Sequence, residues 1–253
     1  MSHPDHVDLQ RFIDRLMVRS VLTEEEQQAL RDLPTQRVTA KGRHDFVHEN
    51  EKASHCCLIV SGLVARFGQL DSGVRQITAF HIPGDMADLH SAVRPIGVGG
   101  LHALTDVTML KVPHDALRRL AVRYPAVAEA LWRDCMLDAA VLMQWVVNVG
   151  RRDARTRLAH LFCEMAVRYG HDRQAVVRYG FPVTQEQLGE AAALTGVHVN
   201  RSLKTLRDEG LVSLDRGTVT IHDWNRLAKV GEFDPVYLTG DANAQRQRRL
   251  LQE

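Results

Sequence analysis

Val183 to Leu206 reads V-T-Q-E-Q-L-G-E-A-A-A-L-T-G-V-H-V-N-R-S-L-K-T-L, and its spacing predicts two short helices joined by a tight corner. Thr184 followed three residues later by Gln187 is a capping-box pair, which starts the first helix. Leu188, Ala191 and Ala192 give that helix an apolar stripe, and Gly189 is small where a second helix must cross. The corner falls at Leu194 to Gly196, with Thr195 placed to cap the next helix. Val199, Leu203 and Leu206 then follow at i, i+4 and i+7, one buried face. The opposite face carries His198, Asn200, Arg201 and Lys204. A short helix with a dry back and that front is chemically suited to a major groove. Arginine forks onto guanine, asparagine pairs with adenine, and lysine or histidine meets phosphate.

The same stretch also fits a plain helical hairpin with a solvated outer face. The residues after it weigh toward the first reading. Leu211, Val212 and Leu214, then Asp215-Arg216-Gly217, then Val219 and Ile221 predict a two-stranded hairpin with glycine in the turn. A helix pair followed at once by a hairpin is a winged helix-turn-helix.

The chain has 253 residues, 45% apolar and 25% charged, enough for two ordinary globular domains. Its formal net charge is +1, so it is no polycation. Charge is tilted: from Arg151 onward 16 Lys or Arg face 13 Asp or Glu, while the earlier part carries a slight acidic excess. No stretch is apolar for long enough to span a bilayer. The start, with His3, Asp5, His6 and Asp8, lacks the basic and apolar regions of a signal peptide. The expected compartment is the cytoplasm. Cys56, Cys57, Cys135 and Cys163 show no C-x-x-C spacing and read as free thiols.

Taken in order, residues 1–34 predict two helices, the second beginning at Thr23 with Glu24, Glu25 and Glu26 in its first turn, where acids suit the helix dipole. Residues 35–122 switch to short alternating runs. Val38, Phe46-Val47, Cys56–Val60, Leu63–Leu70, Ile77–Phe80 and Val107–Val112 read as strands, with Gly97, Gly99 and Gly100 as a bent stretch. Residues 123–150 predict one long helix ending in a hinge at Asn148-Val149-Gly150. Residues 151–238 form the winged unit, and residues 239–253, with Arg246, Arg248 and Arg249, a polar tail. The fold class is therefore α+β: an antiparallel β-roll of jelly-roll type, a long helix and a winged helix-turn-helix. Arg151, Arg152, Arg155 and Arg157 open the unit's first helix, a solvated face that could also meet phosphate.

Within the long helix, Ala139 to Val147 (A-A-V-L-M-Q-W-V-V) is apolar almost all round. Such a helix needs partners on every side. A second copy of the chain is the simplest one, and Leu131, Cys135, Leu142, Trp145 and Val149 are the candidate dimer contacts. A helix sandwiched inside one large core is the alternative.

This order of parts resembles the CRP/FNR family of bacterial transcription regulators over nearly the whole chain. The most specific pieces are Pro83-Gly84-Asp85, Val146 to Arg157 and Val183 to Leu214. The resemblance implies a homodimer with paired long helices, reading a near-palindromic site in double-stranded DNA through a recognition helix at 196–207, with RNA polymerase as a further partner. It places Arg201 on the family's core base-reading arginine, and Thr195 and His198 where phosphate contacts are common. Thr184 joins the DNA-contacting set with Asn200 and Lys204. Val197 stands where other members often carry an acid, which implies an altered half-site. Cyclic-nucleotide-binding members follow the Gly-Glu loop with an Arg-Ser or Arg-Thr pair. This chain has Gly97 to Leu101 (G-V-G-G-L) instead, so a cyclic phosphate would be buried unpaired, and a cAMP response of the usual kind is not expected. The iron–sulfur members' N-terminal cysteines are missing too. No cofactor is predicted, and the effector is left open.

A second class competes: a cupin-like β-roll binding a small ligand or metal, its helical end serving assembly. The roll holds His44, His48, His55, His81, His90 and His102, but no pair has the cupin spacing. Cys56 and Cys57 are strand neighbours and should face opposite sides. Nothing resembles a catalytic triad or a phosphate-cradling glycine loop, so no enzymatic activity is predicted.

Overall fold

The computed structural model describes residues 3–97, 99–171 and 176–239; the tail expected at 239–253 lies, past Thr239, outside the described residues. The chain divides into two compact units, one built on residues 3–68 and 80–139, the other on 69–79 and 140–238.

The first unit begins with α1 (His3–Met17) and α2 (Glu24–Arg31). Thr23 caps α2 in a full capping box with Glu26, so the local pattern sets this helix start. Seven strands follow in the chain, β5 falling largely within the second unit's residues 69–79: β1 (Gln36–Ala40), β2 (His44–Val47), β3 (His55–Ser61), β4 (Val64–Gln69), β5 (Arg75–His81), β6 (Gly100–Ala103) and β7 (Val107–Pro113). They form antiparallel sheets ordered β1-β7-β3 and β2-β6-β4-β5. Because successive strand residues point to opposite faces, β3 and β7 serve two cores at once. Cys56, Leu58, Leu110 and Val112 pack with apolar residues of α1, α2 and α3 (His114–Arg123). Cys57, Ile59, Val107 and Met109 pack with Val64, Leu101 and Ala103 of the other sheet. The two neighbouring cysteines are therefore on opposite faces, both buried and both free.

The stretch read as a bend before the last strands contains one: Gly100 opens β6. A Cβ there would lie 2.5 Å from the Phe67 ring on β4, so only glycine lets that ring close over the strand.

The long helix is α4 (Pro125–Arg151), whose later residues belong to the second unit. It does not hinge at 148–150. Asn148 is buried and its side-chain amide donates to the Arg157 carbonyl. The break comes at Arg152-Asp153, where Asp153 accepts from the Thr156 N–H at 2.9 Å and caps α5 (Ala154–Arg168). The second unit continues with β8 (Val177–Gly180), α6 (Gln185–Ala192), α7 (Gly196–Asp208), β9 (Val212–Asp215), β10 (Thr218–Ile221), α8 (Trp224–Val230) and α9 (Val236–Thr239). The wing has three strands in the order β8-β10-β9. Thr218 pairs with Asp215 on one side and Gly180 on the other, so the strand leading into α6 anchors the wing.

Candidate nucleic-acid interface

The helix pair forms as its local chemistry dictates. Thr184 and Gln187 make a reciprocal capping box at the start of α6. Ala193 ends α6 in the left-handed region (φ 51°, ψ 50°), and its N–H donates to the Gly189 carbonyl. The Leu194 N–H donates to the same carbonyl at 2.9 Å. A Cβ on Gly189 would sit 2.6 Å from the Leu194 carbonyl oxygen, so glycine is what lets the corner fold back on α6.

Two faces of α7 separate cleanly. Val199, Ser202 and Leu206 are buried, Leu203 is half-buried, and Gly196, Val197, His198, Asn200, Arg201, Lys204 and Arg207 are exposed. The buried seam thus includes a serine that apolar periodicity passed over. Thr195 caps α7: its hydroxyl accepts from the His198 N–H at 3.4 Å and lies 3.1 Å from His198 Nδ1. Asn200 Nδ2 reaches Gln185 Oε1 on α6 at 3.4 Å. Gln185 and Arg207 join Asn200, Lys204 and wing residues Ser213 and Leu214 around a small cavity of about 140 Å³. Sequence reasoning missed both. Their signals were available: Gln185 follows the α6 cap, and Arg207 lies three residues beyond Lys204 on the same face.

Of the four arginines expected to open α5, Arg151 ends α4 and Arg152 follows it, and Arg152, Arg155 and Arg157 are engaged inside the unit. Arg152 faces Glu232 at 3.4 Å, and Arg155 pairs with Glu209 at 2.5 Å. Arg157 donates to backbone carbonyls of Arg152, Ala192 and Ala193. Arg151 is the exposed member of the four, while Arg152, Arg155 and Arg157 are half-buried and held by partners within the unit.

Residues 38–124 match the cyclic nucleotide-binding domain family, and residues 156–230 match the Crp-like helix-turn-helix domain. An anaerobic regulatory protein of Haemophilus influenzae is 22% identical over 218 residues, 86% of this chain and 85% of that protein. The nitrogen fixation regulation protein FixK of Azorhizobium caulinodans is 25% identical over 202 residues, 78% of this chain and 80% of that protein. The solved structure of FixK2 from Bradyrhizobium japonicum superposes with a TM-score of 0.71 at 25% identity, covering 78% of this chain and 98% of that one. The chain belongs to the CRP/FNR family of transcription regulators.

The β-roll of this CRP/FNR protein carries buried carboxylates after Pro83-Gly84. After Pro83-Gly84, Asp85 pairs with Arg15 at 2.5 Å. Asp88 is buried and accepts from the Cys57 N–H at 2.6 Å; burial pushes its carboxyl up to about 6. Arg66 spans the Ala87 carbonyl and Asp138 on α4. The loop therefore presents buried carboxylates, and its nearby cation is paired within the protein. Among the described residues no group of three His, Cys, Asp or Glu could hold a metal. His44 is exposed and bonds the Gly42 carbonyl, and His102 pairs with Asp45 at 2.5 Å. The cupin-like alternative is not favoured.

The candidate dimer contacts on α4 differ in exposure. Leu131 and Trp145 are buried within their own units, Cys135 and Val149 are half-buried, and only Leu142 is open. The exposed apolar positions of α4 are instead Trp132, Met136, Met143, Val146 and Val147 together with Leu142.

Proposed function

We propose that this CRP/FNR regulator is a homodimer that reads a near-palindromic duplex through α7. The observation that carries the reading is the face of α7 opposite Val199, Ser202 and Leu206, where His198, Asn200, Arg201 and Lys204 stand free of the core. Arg201 forks onto a guanine edge and Asn200 serves an adjacent base, positioned from α6 by Gln185. Lys204 and His198 meet phosphates, while Thr184 and Thr195, whose hydroxyls cap their helices, add backbone contacts at the two helix starts. Trp132, Met136, Ala139, Met143 and Val146 recur at spacings of four and three, the repeat of a coiled-coil seam, which supports α4 as the dimer helix. The described residues include no helix long and apolar enough to cross a membrane, in keeping with a cytoplasmic protein acting on DNA with RNA polymerase. The carboxylates of the 85–88 loop support a β-roll that does not take a cyclic phosphate.

The test is selection of a preferred duplex from a random pool, followed by titration with Arg201→Ala. The expected cost is ~1–3 kcal/mol, about 5- to 150-fold, with relaxed preference at one base in each half-site. Unchanged affinity for the selected duplex would refute the role of Arg201. A single asymmetric site would refute the dimeric arrangement.

A further inference from the structure

Arg157 lies at the start of α5, four residues past its cap, and its guanidinium donates to backbone carbonyls of three residues. Its Nε donates to the Arg152 carbonyl at 2.8 Å. Its Nη1 donates to the Ala192 carbonyl at 2.9 Å and the Ala193 carbonyl at 3.2 Å. Its own carbonyl accepts from Asn148 Nδ2. One guanidinium thus joins the residue that follows α4 to the last carbonyls of α6.

The α6 end needs such a partner. The final carbonyls of a helix have no acceptor role inside it, and they form the negative end of its dipole. Here Gly189 O is served by two backbone N–H groups of the corner, whereas Ala192 O and Ala193 O are served by Arg157. Ala193 is also a non-glycine residue in the left-handed region, a conformation that costs about 1–2 kcal/mol. Something must hold that peptide, and a rigid cationic fork does so where a lone point charge would not. Only Ala193, Leu194 and Thr195 separate α6 from α7. The direction in which the Ala193 carbonyl points therefore helps set the angle at which α7 leaves the corner.

We propose that Arg157 is a positioning residue for DNA recognition, fixing the presentation of α7 through the α6 carbonyls without touching the duplex. The proposal rests on α7 being the reading helix. It differs from a phosphate contact in two measurable ways. A phosphate-binding arginine contributes about one unit to the slope of log affinity against log salt, and its loss weakens all sequences alike. A positioning arginine leaves the slope and non-specific binding in place and lowers specific affinity. Lysine also separates the two, since it keeps the charge but cannot fork.

The experiment titrates the full-length wild type, Arg157→Gln, Arg157→Lys and Arg201→Ala with the selected duplex and a scrambled one across a salt series. Amide exchange at Leu194 is measured in parallel. Arg157→Gln and Arg157→Lys should both lose about ten-fold in specific affinity, keep wild-type affinity for the scrambled duplex and keep the salt slope. Their Leu194 amide should exchange faster. A shallower slope in Arg157→Gln with retention in Arg157→Lys would make Arg157 a phosphate contact and overturn the proposal. So would wild-type binding and exchange in both variants. A fall in melting temperature with specific affinity unchanged, once corrected for folded fraction, would make the fork merely structural and overturn it as well. If Arg201→Ala binds as wild type, the reading of α7 fails by itself, and the Leu194 exchange still decides whether Arg157 holds the corner.

Discussion

The phenolic oxygen of Tyr237, on α9, lies 2.8 Å from Glu164 Oε2 on α5, and Glu164 is wholly buried. Trp145 Nε1 also donates to this carboxyl, at 3.1 and 3.0 Å to its two oxygens, and Arg168 Nη1 stands 3.8 Å away. The same tyrosine oxygen lies 3.2 Å from His160 Nε2, whose Nδ1 faces the Gly231 carbonyl at 3.0 Å. A carbonyl only accepts, so Nδ1 carries the proton and a neutral His160 has a bare Nε2. Tyr237 has one proton for two acceptors. Glu164, Tyr237 and His160 are all satisfied when the acid is protonated and donates to the tyrosine oxygen while the tyrosine donates to His160, which leaves Arg168 as the charge beside them.

Burial moves the two titrating groups in opposite directions. Glu164 is raised above the ordinary carboxylate range and His160 is pushed down to about 4, in both cases chiefly by desolvation. A raised carboxyl contributes stability that is complete below its unfolded pKa and is lost as pH rises through the folded value. A depressed histidine contributes stability present above 6.5 and lost as pH falls toward about 4, roughly 3 kcal/mol over that range. Glu164→Gln copies the protonated acid: the amide donates to Tyr237 and accepts from Trp145. Its melting temperature should exceed the wild-type value by a margin that grows from pH 5 to pH 9. The acid limb from His160 should stay. A margin that does not change with pH would remove the protonated-acid account.

The helix-turn-helix corner offers a sign test. Gly to Ala inside a helix ordinarily stabilises by about 1 kcal/mol. At Gly189 the new methyl would meet the Leu194 carbonyl oxygen at 2.6 Å, a backbone atom that cannot step aside. Overpacking of this kind costs about 1–3 kcal/mol and outweighs the propensity gain. Urea unfolding of Gly189→Ala should show a net loss of up to about 2 kcal/mol, and duplex affinity should fall with it. A stabilised variant would mean that the corner is looser than its geometry.

The exposed seam of α4 makes a separate prediction. Met143→Glu or Val146→Glu puts a carboxylate on a position that is open in one chain and covered in a coiled-coil pair. Sedimentation should show each variant shifted toward monomer with its melting profile otherwise intact, and affinity for a two-half-site duplex should drop at least ten-fold. Trp145→Ala should behave differently. Trp145 is buried and bonded to Glu164, so its loss should cost about 3–5 kcal/mol of folding stability before it affects assembly. Intact dimers from both glutamate variants would place the interface elsewhere.

How much of this was legible in the sequence depended on range. Features set by three or four neighbouring residues read directly: the capping boxes at Thr23 and Thr184, the cap at Thr195, and the wing turn at Asp215-Arg216-Gly217. The phase of α4 did not, because Ala139 to Val147 is apolar on every side and names no face. Only packing distinguishes Trp145, turned in toward Glu164, from Met143, turned out. The break after α4 is encoded locally by Asp153, a cap residue ahead of a helical run, whereas Asn148-Val149-Gly150 resembles a hinge in composition alone. Glu164 and His160 gave no local sign of burial, because their partner Tyr237 is more than seventy residues away. Arg157 shows the limit most clearly: an arginine in a basic cluster is read as a nucleic-acid contact until the carbonyls around it are seen.

Val197 is the largest exposed apolar side chain at the start of α7, with 69% of its surface open, one turn ahead of Arg201. A solvent-facing valine there contributes nothing to the unit's own core. In a major groove its methyl groups can pack on a thymine methyl, and they cannot accept a proton from the amino group of cytosine. The selected half-site should therefore carry a T·A pair beside the guanine proposed for Arg201. Val197→Glu should exchange that preference for cytosine, since a carboxylate accepts from the cytosine amino group. The swing between the two sequences should be ~1–3 kcal/mol, the worth of one good base contact. Both proteins are to be titrated with duplexes differing only at that pair. Equal ranking of the two duplexes by wild type and variant would exclude position 197 from base reading and leave Arg201 unaffected.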